Sequence, residues 1–218
     1  MKRALILAGV LVCLAVGAFT VSFWHAVSPT HGPRISDHAH GKALVVVDLQ
    51  EDYTGTDAKQ PYPVSTVSVA NRLILGAQHG GWPVVFVKTE AVDWFDRILT
   101  GSAVLAGTSG AELDGRLERP ADSIEIVKSR SDAFSNLELA RQLKQREIGH
   151  LFIIGLDAAR CVKSTLLGAL NRGYAVTAVK GGIATRLGTP MEELLRGYQA
   201  KGATVKTVEE AGDELSRK

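Results

Sequence analysis

From residue 43 onward, short apolar runs alternate with segments that have helical spacing. Six runs read as strands, most of them apolar on both faces: 43–47, 84–87, 124–127, 151–154, 174–179 and 203–205. Four segments between them place apolar residues on one helical face: 67–78, 136–146, 162–171 and 190–200. Strands that alternate with helices pair in parallel through right-handed crossovers. The pattern predicts an α/β fold, a three-layer α/β/α sandwich around a mainly parallel sheet of about six strands.

Glycines stand just past the predicted helices. They are Gly80 and Gly81, Gly149, Gly173 and Gly202. A residue after a helix often needs a positive φ, which glycine adopts without steric cost. We therefore expect these positions to end the helices.

The amino-terminal segment has a different pattern. Lys2 and Arg3 precede a stretch from Ala4 to Trp24 without a charged residue. As a helix this stretch is roughly 30 Å long, about one hydrocarbon core. We expect residues 1–26 to form a membrane anchor, or a signal segment if the chain is cleaved near Val16-Gly17-Ala18. The positive-inside rule then places the domain on the non-cytoplasmic side, the periplasm of a Gram-negative bacterium, or outside the cell after cleavage.

Residues 27–42 have the composition of a linker, with two prolines, two glycines and no apolar period. His31, His38 and His40 lie within it. Asp37 is the only carboxylate near them, so we read them as part of a solvated tether rather than a metal site. The predicted organisation is a segment at 1–26, this linker, and one domain at 43–218.

Composition narrows the class of protein. A chain of 218 residues with 45% hydrophobic content builds one domain with a real core. The net charge of +2 lacks the basic bias of a nucleic-acid binder, and no nucleic-acid partner is expected. The two cysteines, Cys13 and Cys161, exclude a disulfide framework within the domain. Cys161 is therefore a free thiol, unless it pairs between chains.

Three reactive side chains follow predicted strands. Asp48 ends the first strand, Lys128 ends the third, and the fourth leads through a short turn to Cys161 at a helix start. Ligands of open parallel sheets bind at the carboxyl ends of the strands. Each residue also has an ordinary structural interpretation: an N-cap aspartate, a solvated lysine and a small buried cysteine. Their convergence on one edge favours a site.

The three groups suit nucleophilic catalysis. A helix N-terminus and a nearby ammonium both favour a thiolate, and Lys128 supplies the ammonium. Asp48 is placed to take the proton of the thiol and to deliver it to a leaving amine. Phosphate cofactors are disfavoured, because the first strand is followed by the carboxylate-rich run DLQED at 48–52 and no Walker motif is present. No cofactor is expected.

The segments ALVVVDLQEDY (43–53), IVKSRSDAF (126–134) and IIGLDAARCVKSTLLGALNRGYAVTAVKGG (153–182) resemble the three signature blocks of the isochorismatase-like cysteine hydrolases. These include nicotinamidases, carbamoylsarcosine amidohydrolases and ureidoacrylate amidohydrolases. The resemblance implies a triad of Asp48, Lys128 and Cys161 and a cis peptide bond between Leu156 and Asp157. It also implies an oxyanion hole made by the backbone N–H groups of Asp157 and Cys161. The implied reaction hydrolyses an amide or ureido C–N bond of a small molecule through a thioester.

Departures from the family pattern affect the substrate. Nicotinamidases of this type carry metal-binding histidines near the second strand, whereas residues 87–101 contain none, so no metal is expected. Relatives that cleave a vinyl ether often lack the cysteine, so Cys161 favours C–N hydrolysis. Isochorismatase-type vinyl-ether hydrolysis and a catalytically silent, membrane-anchored binding module stay as alternatives. By resemblance we also expect a homo-oligomer, a dimer or a tetramer.

Further residues are candidates for binding the substrate. Tyr53, Trp94 and Phe134 follow or flank strand ends, where aromatic side chains wall a pocket or belong to the core. Arg160 precedes the cysteine and either binds a substrate carboxylate or is solvated at the helix start.

Overall fold

A computed structural model of the protein describes residues 2–63 and 65–218, with side chains from residue 12 onward. The strands are β1 (Gly41–Val47), β2 (Val84–Thr89), β3 (Ile124–Lys128), β4 (Ile148–Gly155), β5 (Ala175–Ile183) and β6 (Thr204–Lys206). The helices are α1 (Lys2–Val27), α2 (Glu51–Thr54), α3 (Ser65–Gly80), α4 (Trp94–Thr100), α5 (Leu137–Gln145), α6 (Cys161–Asn171), α7 (Met191–Ala200) and α8 (Val208–Leu215).

The six strands form one sheet in the order β3-β2-β1-β4-β5-β6, and every pairing is parallel. The order runs outward from the centre in both directions, because β2 and β3 lie on one side of β1 and β4 to β6 on the other. The chain leaves β1 towards β2 but leaves β4 towards β5, in the opposite direction. In such sheets the loops at these two strand ends separate and leave a crevice between β1 and β4. The predicted α/β fold with a parallel sheet is confirmed.

Both faces of the sheet are covered, as its apolar strands require. In β1, Val45 and Val47 point to a core shared with α5, α6 and α7. Leu44 and Val46 point to the opposite core, shared with α3 and α8. Alternate residues of one strand thus enter two cores, which is why β1 has no polar face. The three-layer sandwich follows from this double burial.

Some elements differ from the prediction. The short α2, α4 and α8 were not anticipated from periodicity, although Thr207 and Glu210 form a capping box at the start of α8. Gly149 does not end a helix: it lies inside β4, where a Cβ would overlap with the carbonyl oxygen of Ala39. Glu147 takes the left-handed conformation after α5 instead, with φ 52°.

The prediction of a membrane anchor is wrong. In the part of the chain with described side chains, no helix is long and apolar enough to cross a membrane. The carboxyl end of α1 packs on the domain, where Ala26 is buried and Phe19 meets Phe95 edge to face at 5.5 Å. The predicted placement on the non-cytoplasmic side, or secretion, depended on that span and is therefore wrong as well.

The segment between α1 and β1 contains neither helix nor strand, but it is held against the domain. Thr30 donates two hydrogen bonds of 2.6 Å to Asp132, one from its N–H and one from its hydroxyl. Arg172 donates to the carbonyl oxygens of Thr30 and His31 at 3.1 and 3.0 Å. These contacts fix the end of α1 relative to the sheet.

Candidate active site

Asp48 follows β1 at the centre of the sheet and lies in the left-handed region, with φ 55°. This conformation costs a non-glycine residue about 1 kcal/mol or more, so the surrounding structure must hold it. Its N–H donates to Val87 O at 2.8 Å, and its carboxylate is almost completely buried. The strained backbone aims the side chain across the ends of β2 and β3.

Lys128 ends β3, two strands away from β1, and its long side chain reaches back over β2. Its ammonium donates to Asp48 Oδ2 at 3.0 Å and to the Thr89 hydroxyl at 2.6 Å. Thr89, at the end of β2, in turn donates to Asp48 Oδ1 at 3.0 Å. One residue from each of three adjacent strands therefore joins a closed and fully buried network.

Cys161 is the first residue of α6, which follows β4 on the other side of β1. The close approach of β4 to β1 depends on Gly155, which has φ 114° and faces the carbonyl oxygen of Val47. The residue is half-buried and lines the same cavity as Asp48, and its thiol lies near enough to Asp48 and Lys128 for both groups to act on its pKa. The structure thus brings together the three residues of the predicted triad.

Burial and charge act in opposite directions on these groups. Burial lowers the pKa of the Lys128 ammonium, but the Asp48 carboxylate raises it through its charge and its hydrogen bond, and the resulting pKa lies above the ordinary value. Burial raises the pKa of the Cys161 thiol to about 12, with Lys128 opposing and Asp48 adding to the rise. The thiolate favoured by the helix start and the ammonium is thus opposed first by burial and then by Asp48. This direction favours a protonated thiol with a carboxylate near it.

The turn between β4 and α6 supplies backbone N–H groups. Cys161 is the first helical residue, so its N–H has no acceptor within the helix. Asp157 is held by its side chain, whose carboxylate accepts from Tyr62 Oη, the Arg186 N–H and the Ala159 N–H. No peptide bond among the described residues is cis, so the expected cis bond after Leu156 is wrong and the bond has the lower-energy trans form. The oxyanion hole stays a prediction.

A cavity of about 130 Å³ opens above the thiol. Two triad residues, three arginines, two tyrosines and three residues from the end of α1 line its wall. They are Asp48 and Cys161; Arg130, Arg160 and Arg186; Tyr53 and Tyr62; and Phe23, Ala26 and Val27. The site is small and bordered by positive charge.

The candidate binding residues are not all placed alike. Tyr53 and Arg160 line the cavity, as the sequence interpretation requires. Phe134 is buried in the core under the Arg172 guanidinium, 4.7 Å from its ring centre, and does not reach the cavity. Trp94 is 66% exposed at the start of α4, where it packs on Phe95 rather than on the site.

Several site residues were missed. Thr89 stands at the end of a strand adjacent to β1, a position at which a polar residue is a site candidate by the rule that identified Asp48. Gln50 accepts from the Thr89 N–H at 2.9 Å and donates to the Thr89 carbonyl at 2.8 Å, holding that residue in place. Tyr62 and Arg186 come from loops without periodicity, and no local signal marks them.

The donor set is not that of a metal site. In the described side chains no group of three or more His, Cys, Asp or Glu is arranged to hold a metal ion. The carboxylate at the site is paired with Lys128, which occupies the place a cation would take. The expectation of no metal and no cofactor stays a prediction.

Comparison with known proteins agrees with this geometry. The isochorismatase domain family matches residues 42–210. A nicotinamidase of Escherichia coli (strain K12) is 30% identical over 174 residues, covering 65% of this chain and 82% of the relative. A probable inactive nicotinamidase of Arabidopsis thaliana is 30% identical over 190 residues, covering 80% and 96%.

A solved structure is also similar. The crystal structure of N-carbamoylsarcosine amidase from Thermoplasma acidophilum superimposes with a TM-score of 0.71 and 27% identity, covering 78% of this chain and 98% of that one. The family match includes the strand ends that carry Asp48, Lys128 and Cys161. The chain belongs to the isochorismatase family of hydrolases, as the three sequence blocks predicted.

Proposed function

We propose that the protein hydrolyses the C–N bond of a small carboxamide or ureido compound through a thioester on Cys161. The observation that carries this proposal is that Cys161, at a helix start, lines the same small cavity as Asp48, whose buried carboxylate is paired with the Lys128 ammonium at 3.0 Å. A nucleophile and a proton acceptor line one small cavity, and the positive charge is buried behind the acceptor. An acyl-transfer reaction needs all three.

In the first half of the reaction Asp48 takes the proton of the Cys161 thiol as sulfur attacks the carbonyl carbon. The carbonyl oxygen becomes an oxyanion facing the N–H groups of Asp157 and Cys161. Asp48 then gives the proton to the nitrogen, the C–N bond breaks, and ammonia or an amine leaves. The product on the enzyme is a thioester.

In the second half Asp48 takes a proton from water, whose oxygen attacks the thioester carbon. The C–S bond breaks, and the proton on Asp48 returns to sulfur. Lys128 keeps its proton throughout, which its raised pKa supports. Its charge holds Asp48 and stabilises the anionic sulfur that forms and leaves.

The cavity supports a small, anionic substrate. Arg130, Arg160 and Arg186 border it, while the carboxylates of Asp48 and Asp157 are already engaged. Arg160 makes one long hydrogen bond, 3.4 Å to Leu99 O, and stays available for a ligand. Guanidinium groups bind carboxylates in a fixed, bidentate geometry. An amide or ureido acid with a free carboxylate fits this wall.

The test is ammonia release from a panel of small carboxamides and ureido acids. Cys161→Ala must abolish release from the active substrate, while Cys13→Ala, the matched change at the exposed cysteine of α1, must leave it unchanged. Mass spectrometry of the wild-type protein, quenched in acid during turnover, tests whether Cys161 carries an acyl group. Release that survives Cys161→Ala contradicts the thioester.

Two other outcomes separate the alternatives. Vinyl-ether hydrolysis predicts that Cys161→Ala keeps its activity on a vinyl ether while Asp48→Ala loses it. A catalytically silent module that uses the edge of the sheet to bind a partner predicts no turnover of any panel compound. The Arabidopsis relative, named a probable inactive nicotinamidase, makes this second outcome worth measuring.

A further inference from the structure

The carboxyl-terminal turns of α1 form part of the wall of the candidate active site. Phe23, Ala26 and Val27 line the same cavity as Asp48 and Cys161. Ala26 is buried, and Phe23 is 38% exposed. Atoms from outside the matched family region, residues 42–210, thus meet the space above the nucleophile.

Three consecutive carbonyl groups at the end of α1 are bound by the elements that carry the triad. The His25 carbonyl accepts from Arg130, the Ala26 carbonyl from the Ser131 N–H at 2.9 Å, and the Val27 carbonyl from the Ser164 hydroxyl at 2.8 Å. Ser131 lies three residues after Lys128, and Ser164 lies three residues after Cys161. The helix end is therefore positioned by the same backbone that positions the chemistry.

These hydrogen bonds satisfy groups that a helix end leaves open. The last carbonyls of a helix have no intrahelical partner and need donors from elsewhere. Here the donors lie in the loop after β3 and in α6. Detaching α1 would leave these donors without their carbonyl acceptors. Downstream, the Asn171 side chain and Arg172 both donate to Thr30 O, which adds a second point of attachment.

α4 completes the wall on the same side. Phe95 of α4 packs against Phe19 of α1, and Leu99 and Thr100 of α4 line the cavity beside Phe23. Both helices thus contribute apolar side chains to the cavity wall. Arg130 donates to the His25 carbonyl and Arg160 to the Leu99 carbonyl, so a substrate carboxylate bound by either guanidinium lies near these helix ends.

We infer that the end of α1 is a specificity wall, in which Phe23 sets the longest substrate that reaches Cys161. The inference rests on the proposed function for its substrates, but not for its geometry. Phe23→Ala removes an aromatic ring from the cavity and admits longer molecules, whereas Phe23→Trp narrows it. A residue that only docks the helix would change reactions with short and long molecules alike.

Alkylation of Cys161 tests the wall without any turnover. In a Cys13→Ser background, the rates with iodoacetamide and with the bulkier N-phenyl iodoacetamide are measured by mass spectrometry of the Cys161 peptide. Phe23→Ala should raise the ratio of bulky to small rates by roughly tenfold, and Phe23→Trp should lower it. Val16→Ala, an apolar change on α1 at a side chain that is 58% exposed and outside the cavity, should leave the ratio unchanged.

A second arm compares kcat/KM for a short and a long member of the active substrate series. The same two Phe23 variants should shift the long-to-short ratio in the directions seen for alkylation. A ratio that stays constant in both arms, with thermal unfolding unchanged, overturns the specificity wall. Ratios that shift for the alkylating reagents while no amide is hydrolysed would uphold the wall and contradict the proposed function.

Discussion

The Lys128 ammonium lies 3.0 Å from the Asp48 carboxylate although β3 and β1, which carry them, are not adjacent in the sheet. Neither side chain has appreciable contact with solvent. A buried ion pair loses much of its Coulomb gain to desolvation, so its presence adds little stability compared with an apolar pair. The proposed chemistry gives the pair a role other than stability, because both partners act on the pKa of the Cys161 thiol.

This relationship predicts a marked non-additivity. Asp48→Asn or Lys128→Met alone leaves one buried charge without its partner, and each should reduce the free energy of unfolding by about 3 to 5 kcal/mol. The double variant removes both charges and should be less destabilised than the sum of the two. Urea denaturation of the four proteins measures this coupling.

Activity in the same cycle should behave differently. The double variant has neither the proton acceptor nor the ammonium, so it should be as inactive as Asp48→Asn. Recovery of activity together with stability would show that the pair has a purely structural role.

The Thr89 hydroxyl is predicted to position both charged groups. It accepts from Lys128 and donates to Asp48, so Thr89→Val leaves the network with one bond where three existed. We expect kcat to fall by up to about a hundredfold, because small displacements of catalytic groups are costly, while KM changes little. Thr89→Ser keeps the hydroxyl and should restore most of kcat. Equal losses in the serine and valine variants would contradict a role for the hydroxyl.

The raised pKa of the Cys161 thiol predicts a distinct pH dependence of alkylation. A thiol whose pKa is raised to about 12 is protonated at neutral pH. As the pH rises towards that value, the thiolate fraction therefore grows about tenfold with each pH unit. The rate of iodoacetamide alkylation should rise steadily from neutral pH to pH 10. The rate for the unfolded thiol should level off above the ordinary cysteine pKa of about 8.5.

Asp48→Asn supplies the control for this profile. Asp48 raises the thiol pKa, so its neutralisation leaves the Lys128 charge unopposed and lowers that pKa. Alkylation near pH 8 should become faster in this variant while turnover is lost. A wild-type profile that already levels off below pH 8 would show a preformed thiolate.

Sequence patterns could predict the strands and the triad because both follow from local features. Runs such as 43–47 are apolar on both faces, which only a doubly covered sheet accommodates. Asp48, Lys128 and Cys161 were found because parallel strands end on one edge. Thr89 obeys the same rule, and extending the second strand by two residues beyond Val87 would have included it.

Other features depend on tertiary context. An uncharged helix has the same sequence pattern whether it enters a membrane or packs at an active site, so periodicity did not reveal the contacts of Ala26. The direction of the pKa shift of Cys161 depends first on burial and then on how far Asp48 offsets Lys128, neither of which is encoded by residue spacing. Phe134 follows a strand end, but its backbone turns the ring into the core.

Gly155 should be irreplaceable where the end of β4 comes close to β1. With φ 114° and the Val47 carbonyl where a Cβ would lie, Gly155→Ala must either strain the backbone or separate the strands. We expect a loss of more than about 2 kcal/mol in the free energy of unfolding, and a fall in activity because Cys161 moves away from Asp48. Thermal unfolding and turnover measure the two effects.

Gly197→Ala is the matched control for that substitution. Gly197 lies inside α7, where a Cβ would meet nothing within 4 Å. Alanine there should stabilise the protein by about 0.5 to 1 kcal/mol, since glycine is the poorer helix former. Loss of stability at both positions would indicate that the protein tolerates alanine poorly in place of any glycine. It would remove the argument that Gly155 is needed for the close approach of β4 to β1.

Arg160 is predicted to select substrates that carry a carboxylate. Its guanidinium borders the cavity next to Cys161 and makes one long hydrogen bond, so it gains a strong partner when an anion binds. Arg160→Gln should reduce kcat/KM for a ureido acid by roughly tenfold to a hundredfold, the equivalent of a hydrogen bond to a charged group, and mainly through KM. The neutral amide of the same compound should be affected far less.

Arg196→Gln, on the exposed face of α7 away from the cavity, controls for a simple change in net charge. Equal losses for the acid and its neutral amide would assign Arg160 to the start of α6 rather than to the substrate.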